Sequence, residues 1–238
     1  MQLIVYHKVE GTLDLPLNYN HILQSIIYKN LNTAYFNSSY IHQNGFRSGN
    51  RNYKLFTFSP IKGKYEIKGQ HIVFKDQVSF EVRSPEPLLI RILEENLKSN
   101  GINYIGQCYE TVETMLNDKS VESEETFISM ISPIVLYSTD LNTKKTHFYS
   151  PHEKAFQYYT VENFRRKYNA CYGIYPSPDI YIEPISVLHK VSNYQNFYIN
   201  GWLGEYHISG PRKYLDFLYQ TGLGSKNSQG FGMFDSTE

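Results

Sequence analysis

Thr221-Gly-Leu-Gly-Ser-Lys-Asn-Ser-Gln-Gly-Phe-Gly-Met233 lies near the end of the sequence, and its reading decides how the last part of the fold is put together. Two Gly-x-Gly units, Gly222/Gly224 and Gly230/Gly232, bracket a short polar segment that carries Lys226. Glycine tolerates positive φ and lets backbone come close to a ligand, so successive N–H groups can turn inward around an anion. A dinucleotide fingerprint or a P-loop needs a strand before its glycines and a helix after them. Here a predicted helix, Pro211 to Gln220, comes first and few residues follow, so both motifs are excluded. A plain glycine-rich turn is the competing structural reading.

Working outward, Leu3-Ile-Val-Tyr reads as a strand. The apolar stripe at 19, 22, 23, 26, 27 and 31 reads as a helix from Asn18 to Leu31. Strand patterns follow at Lys54 to Ser59, Lys64 to Lys68 and His71 to Val82, then a helix from Pro85 to Asn100 stopped by Gly101, then strand from Ile102 to Thr114. That order, β-α-β-β-α-β, is the ferredoxin-like arrangement shared with the RNA recognition motif. After an acidic patch it repeats loosely. Phe127 to Tyr137 is strand, with Thr146 to Tyr149 as its possible pair; Pro151 to about Asn169 is helix; Ile180 to His189 and Asn196 to Ser209 are strands. The Pro211 helix, the glycine segment and a final edge at Phe231 to Phe234 complete the unit. The expectation is an α+β protein of two tandem ferredoxin-like (RRM-like) βαββαβ domains with a C-terminal glycine-rich loop, at 1–116 and 126–238 with a linker at 117–125.

Composition narrows the class. Hydrophobic residues make up 41% of 238, enough to build a core. Tyrosine is in excess, with 22 copies. Coding bias explains that blandly, whereas stacking on unpaired bases would explain it functionally. Lysine plus arginine balance aspartate plus glutamate, 23 against 23, which weighs against a binder that relies on bulk positive charge. The charges are unevenly placed, however. Arg47 to Lys75 holds seven Lys/Arg and one acid, Glu66; Glu110 to Glu125 holds six acids and one base, Lys119. Cys108 and Cys171 form no metal-binding spacing, and neither a leader-like segment nor a membrane-length apolar run is present, so a soluble cytoplasmic protein is expected. H-E-x-x-H, D-x-D and G-x-S-x-G patterns do not occur, which removes support for metal-dependent or serine hydrolysis.

The doubled glycine pattern, with Leu223 and Phe231 at the hydrophobic positions and Lys226 in the spacer, resembles the glycine-rich loop of the RAMP superfamily, and in particular the CRISPR-associated repeat-processing endoribonucleases of the Cas six family. The helix entry Leu15-Pro-Leu-Asn-Tyr-Asn-His21 is similar to theirs as well. The resemblance implies catalytic residues at Tyr28 on the first helix, at His42 in Tyr-Ile-His-Gln-Asn-Gly-Phe just past it, and at Lys54 opening the next strand. It also implies RNA contacts from Gly222, Gly224, Lys226, Gly230 and Gly232. Arg47 and Arg51 lie between His42 and Lys54, where either guanidinium could share or take the lysine's role. The tract Lys144-Lys145-Thr-His147 and the helical Arg165-Arg166-Lys167 could hold an RNA stem by its phosphates, or be ordinary solvated faces.

These residue types suit metal-free RNA cleavage, which needs a base for the 2′-hydroxyl, an acid for the leaving 5′-oxygen, and positive charge for the transition state. On ordinary pKa values His42 is assigned as base and Tyr28 as acid or orienting donor, an assignment that geometry could reverse. The implied function is endonucleolytic cutting of CRISPR repeat RNA to a 2′,3′-cyclic phosphate and a 5′-hydroxyl, with no metal and no cofactor. The competing class is a non-catalytic RAMP subunit that binds guide RNA or scaffolds an effector complex; a metabolic enzyme holding a nucleotide phosphate is a third. Repeat RNA is the expected partner; other effector subunits and a homodimer are left open, and a membrane is not expected.

Overall fold

The computed structural model describes residues 1–31, 46–49, 51–110, 112–177, 179–195 and 197–237, apart from the side chains of Ser48 and Arg51. The elements run β1 (Gln2–Pro16), α1 (Asn20–Leu31), β2 (Phe46–Ser48), β3 (Arg51–Tyr53), β4 (Thr57–Phe58), β5 (Lys62–Lys68), β6 (His71–Arg83), α2 (Pro87–Asn100), β7 (Ile102–Tyr104), β8 (Gln107–Tyr109) and β9 (Glu113–Asn117). They continue as β10 (Glu125–Met130), β11 (Tyr137–Thr139), β12 (Thr146–Phe148), α3 (Lys154–Tyr172), β13 (Tyr181–Tyr194), β14 (Phe197–Ser209), α4 (Arg212–Thr221) and β15 (Phe234–Ser236). A single 3-10 turn, Asn227–Gln229, interrupts the segment between α4 and β15.

Alternation along β1 puts Leu3, Val5, Val9, Leu13 and Leu15 into the first core, with an irregularity between Val9 and Leu13 that keeps both in phase. β1 pairs antiparallel with β6 on one side and with β9 on the other. β4 and β5 both add to β6 and together act as the second strand of the unit. α1 buries Ile22, Leu23, Ile26, Ile27 and Leu31 in this core, and α2 buries Leu89, Ile90, Leu93 and Leu97. α2 ends where Gly101, at φ 66, donates its N–H to Leu97 O at 3.0 Å.

The second sheet runs β13-β14-β10-β15 and is covered by α3 and α4. In both sheets the spatial order is fourth, first, third, second strand, so each half is a ferredoxin-like unit. No helix among the described residues is long and apolar enough to cross a membrane.

Three local expectations are corrected. Ile102 to Thr114 is not one strand: Ile105 and Gly106, at φ 50 and 88, fold β7 onto β8, and the strand that pairs with β1 is β9. Phe127 to Tyr137 breaks after Met130, and Tyr137 starts the separate β11–β12 hairpin. The final edge is β15 rather than Phe231 to Phe234, because Gly232 at φ 76 keeps Phe231 in the loop.

The boundary between halves is crossed by packing. Leu55 is buried in the second core, and Phe46 and Tyr53 pack against it, so the β2–β3 hairpin from the first half sits on the second.

Candidate nucleic-acid interface

The segment 222–232 is a folded loop whose glycines serve close backbone packing. Leu223 and Phe231 are fully buried anchors, Leu223 in the second core and Phe231 beside Val135, Tyr194 and Ile199. Leu223 N–H donates to Gly232 O at 2.7 Å, Gly232 N–H to Pro133 O at 2.9 Å, and Ser225 N–H to Val135 O at 2.7 Å. A Cβ on Gly232 would lie 1.9 Å from Leu223 O, and one on Gly224 would lie 2.6 Å from Val135 O; both positions also have positive φ. Asn227 fills the middle, donating from Nδ2 to Leu223 O and Phe231 O, each at 3.0 Å.

The amides of Gly222, Leu223, Ser225, Gln229, Gly230 and Gly232 are therefore donated to protein carbonyls. The charge that the loop carries is Lys226. It is half-buried, with Nζ 5.1 Å from the centroid of the Tyr137 ring, and burial lowers its pKa.

The other side of the loop meets α1. Gln24 Nε2 donates to Ser228 O at 2.6 Å, and Asn20 Nδ2 donates to Gln229 O at 3.2 Å and Gly230 O at 3.4 Å. Tyr194 O–H donates to Gln24 Oε1, and Thr57 Oγ1 to Phe231 O at 3.4 Å. A Cβ on Gly230 would strike Phe58 at 2.7 Å and Asn20 at 2.8 Å, so this glycine is required where the loop touches the first half.

Tyr28 lies on this seam. Its ring packs edge-on against Phe56 at 5.8 Å, and its hydroxyl hydrogen-bonds the Ser228 side chain. Burial raises its pKa, with the Ser228 bond opposing the shift, so it stays a protonated donor at neutral pH. Lys54 is half-buried, two residues before the Phe56 that packs on Tyr28, and burial lowers its pKa. Arg47 is exposed in the β2–β3 hairpin with Nε donating to Gly49 O at 3.0 Å. His42 lies outside the described residues, as does the side chain of Arg51.

The remaining basic clusters are largely spent on local pairs. Lys75 and Lys68 meet Glu66 at 2.6 and 3.5 Å, and Lys64 meets Asp76 at 3.1 Å. Arg165 pairs with Asp179 at 2.6 Å and Arg166 with Glu162 at 3.2 Å, while His147 meets Glu153 at 2.9 Å. Lys167 departs from the stem-gripping expectation altogether. It is buried under the loop, where Nζ donates to Gly222 O at 2.5 Å and to Asn227 Oδ1 at 3.1 Å, and desolvation pulls its pKa down to about 7. The signal was in the spacing: Thr160, Val161, Phe164 and Lys167 share the buried stripe of α3. Asn20, Gln24 and Asn227 were also missed, since their roles depend on partners distant in sequence.

The site therefore joins a C-terminal glycine loop of one ferredoxin-like unit to the first helix of the other. The family model described as CRISPR associated protein Cas6, C-terminal, matches residues 116–236, half of the chain, and the chain belongs to the Cas6 family. Among its relatives is the CRISPR-associated endoribonuclease Cas6 1 of Methanocaldococcus jannaschii, 25% identical over 94% of this chain and 88% of the relative. Another is the CRISPR-associated endoribonuclease-like protein Cas6nc of Pyrococcus horikoshii, 26% identical over 92% of each. In fold the chain is similar to a Cas6-related protein from Pyrococcus furiosus, with a TM-score of 0.82 at 22% identity over 100% of this chain and 98% of the other. It is also similar to a RAMP protein binding different RNA substrates, with a TM-score of 0.81 at 23% identity over 100% and 99%.

Proposed function

We propose that this protein is an endoribonuclease that cuts CRISPR repeat RNA without a metal, using units 1–116 and 126–238 joined at 117–125. The observation that carries the reading is the seam between α1 and the glycine loop, which sets Tyr28 against Ser228, two residues from Lys226. Family membership and relatives described as endoribonucleases support it.

In the proposed reaction His42 takes the proton of a ribose 2′-hydroxyl, whose oxygen attacks the adjacent phosphorus. The P–O5′ bond breaks, and the leaving oxygen takes a proton from Tyr28. Products are a 2′,3′-cyclic phosphate and a 5′-hydroxyl. Burial keeps the Tyr28 phenol protonated at neutral pH, so it has a proton to give and cannot serve there as the base. Lys54, with Arg47 or Arg51, offsets negative charge on the phosphorane-like transition state. Lys226 contacts the RNA backbone, and the four glycines shape the loop that presents it.

A gel of repeat RNA with purified protein in EDTA tests the proposal. Cutting should persist in EDTA, cease with a 2′-deoxy nucleotide before the scissile phosphate, and cease on His42→Ala with binding retained. Tyr28→Phe should slow cutting by ~10²- to 10⁴-fold with little change in Kd. Full activity of both variants would move the chemistry to other residues. The second reading, a RAMP subunit that holds guide RNA without cutting, keeps the same loop. It draws on the Pyrococcus horikoshii relative, which is described only as endoribonuclease-like. Uncut but bound repeat RNA would select it.

A further inference from the structure

The β13–β14 hairpin runs past the body of the second sheet. β14 pairs with β10 only from Glu205 to Ser209, but with β13 as far as Phe197, which lies opposite Tyr194. Tyr194, the last residue of β13, is buried with Val135, Ile199 and Phe231, the last of these from the glycine loop. Its hydroxyl donates to Gln24 Oε1, and its ring meets His21 edge-on at 6.5 Å. Gln24 stands one helical turn before Tyr28 on the same side of α1, and its Nε2 holds Ser228 O. The hairpin tip is therefore fixed to the helix and the loop that carry Tyr28 and Lys226.

Strand alternation decides what the tip presents. Tyr194 and Phe197 are directly paired, so their side chains share one face of the hairpin, together with Lys190 and Ile199. Tyr194 and Ile199 on that face are buried against the loop, whereas Phe197 is 74% exposed. Tyr198 is exposed to a similar degree but lies on the opposite face. The surroundings suit a polyanion. No acid occurs between Glu183 and Glu205, although the whole chain balances 23 bases with 23 acids. Lys190 is exposed and has no carboxylate within the hairpin to pair with.

We infer that Phe197 is a stacking platform for one unpaired base of the bound RNA, close to the phosphate that is cut. Unpaired bases stack on aromatic rings through their π-faces, so the platform reads no hydrogen-bonding edge and accepts any base. The inference rests on the RNA-cutting reading above and adds where the strand lies beside α1.

The test measures Kd for a repeat RNA made uncleavable by a 2′-deoxy nucleotide before the scissile phosphate, intact and with one abasic site at each position in turn. Phe197→Ala should weaken binding of the intact RNA by roughly 5- to 100-fold; Phe197→Trp should retain affinity and Phe197→Leu should lose most of it. In wild type, one abasic position within a few nucleotides of the cut should carry a similar penalty, and Phe197→Ala should abolish that penalty. Tyr198→Ala, on the other face, should bind like wild type. Melting should be unchanged in each variant, because both side chains are exposed. Unchanged affinity in Phe197→Ala, equal losses in Phe197→Ala and Tyr198→Ala, or an abasic penalty that survives Phe197→Ala overturns the platform alone. So does a wild-type dimer on size exclusion that Phe197→Ala dissociates with RNA affinity intact, since the ring would then be covered by a second copy of the chain. Wild type that binds no repeat RNA overturns the RNA reading itself.

Discussion

Arg83→Met should be among the most damaging single changes in the protein, and the reason is readable atom by atom. The Arg83 guanidinium is fully buried at the end of β6. Nε donates to Glu81, Nη1 to Phe234 O at 2.6 Å, and Nη2 to Asp235 Oδ1 at 2.8 Å. The guanidinium carbon also sits 3.7 Å from the centre of the Tyr219 ring. One side chain thus joins the first sheet to β15, more than 150 residues along the chain. Asp235 is partly exposed, so its share is screened and small. The cost lies in Glu81, which would remain buried with Gln2 Nε2 as its side-chain donor at 2.5 Å. Stranding one charge of a buried pair costs about 3–5 kcal/mol, against a total stability of about 5–15 kcal/mol. Urea melts followed by circular dichroism, with fluorescence from the sole tryptophan, Trp202 on β14, measure this. The double variant Arg83→Met/Glu81→Leu should regain much of the loss, because apolar replacement of a whole buried pair is often neutral. Asp235→Asn should cost less than about 1 kcal/mol. A loss under about 1 kcal/mol in Arg83→Met, or no recovery in the double variant, refutes the reasoning.

Acid sensitivity should trace in part to His7, buried with Nε2 2.9 Å from Tyr104 O–H and its pKa lowered by desolvation from 6.5 to about 4. The folded state favours the neutral ring, so about 3 kcal/mol of stability is present above pH 6.5 and is lost as pH falls toward 4. Urea midpoints against pH should flatten over that window in His7→Phe; an unchanged slope would exclude the histidine. Gly232→Ala should cost about 2–5 kcal/mol, from a Cβ driven onto Leu223 O at positive φ, whereas Gly173→Ala, open within 4 Å, should cost about 1 kcal/mol. Equal losses would deny the loop's packing its role. Lys226→Ala should weaken RNA binding at every sequence and reduce the salt dependence of log Kd by roughly 0.7–0.9, as expected for one lost phosphate contact, and an unchanged slope would remove it from the RNA path.

What the sequence revealed was what local periodicity and glycine chemistry can encode. The stripes of α1 and α2 and the alternation in β1 are local, so the order of both units could be read along the chain. β9 escaped because it is a short, mostly exposed edge strand within an acidic tract, and its pairing with Gln2 to Tyr6 is long-range. Lys167 was misassigned because charge was weighed before helical phase. Arg83 gave no signal at all: an arginine at the end of a strand becomes a tie only when Phe234 and Asp235 arrive beside it.

The same long-range contacts explain why the glycine loop cannot be treated as an appendage of the second unit. Residues 228–230 are held by Asn20, Gln24 and Tyr28 of α1, and β15, which follows the loop directly, is held by Arg83 of β6. Between these anchors the backbone closes on itself through Leu223 and Gly232 with no room for a Cβ. A shift at Gly232 must therefore be passed either to Ser228, and so to the Tyr28 hydroxyl, or to β15 and the Arg83 tie. With Tyr28 as the proposed proton donor, Gly232→Ala should slow RNA cutting even at temperatures where the variant remains folded. A variant that melts earlier yet cuts at the wild-type rate below its transition would show that the Tyr28 hydroxyl is positioned independently of the loop.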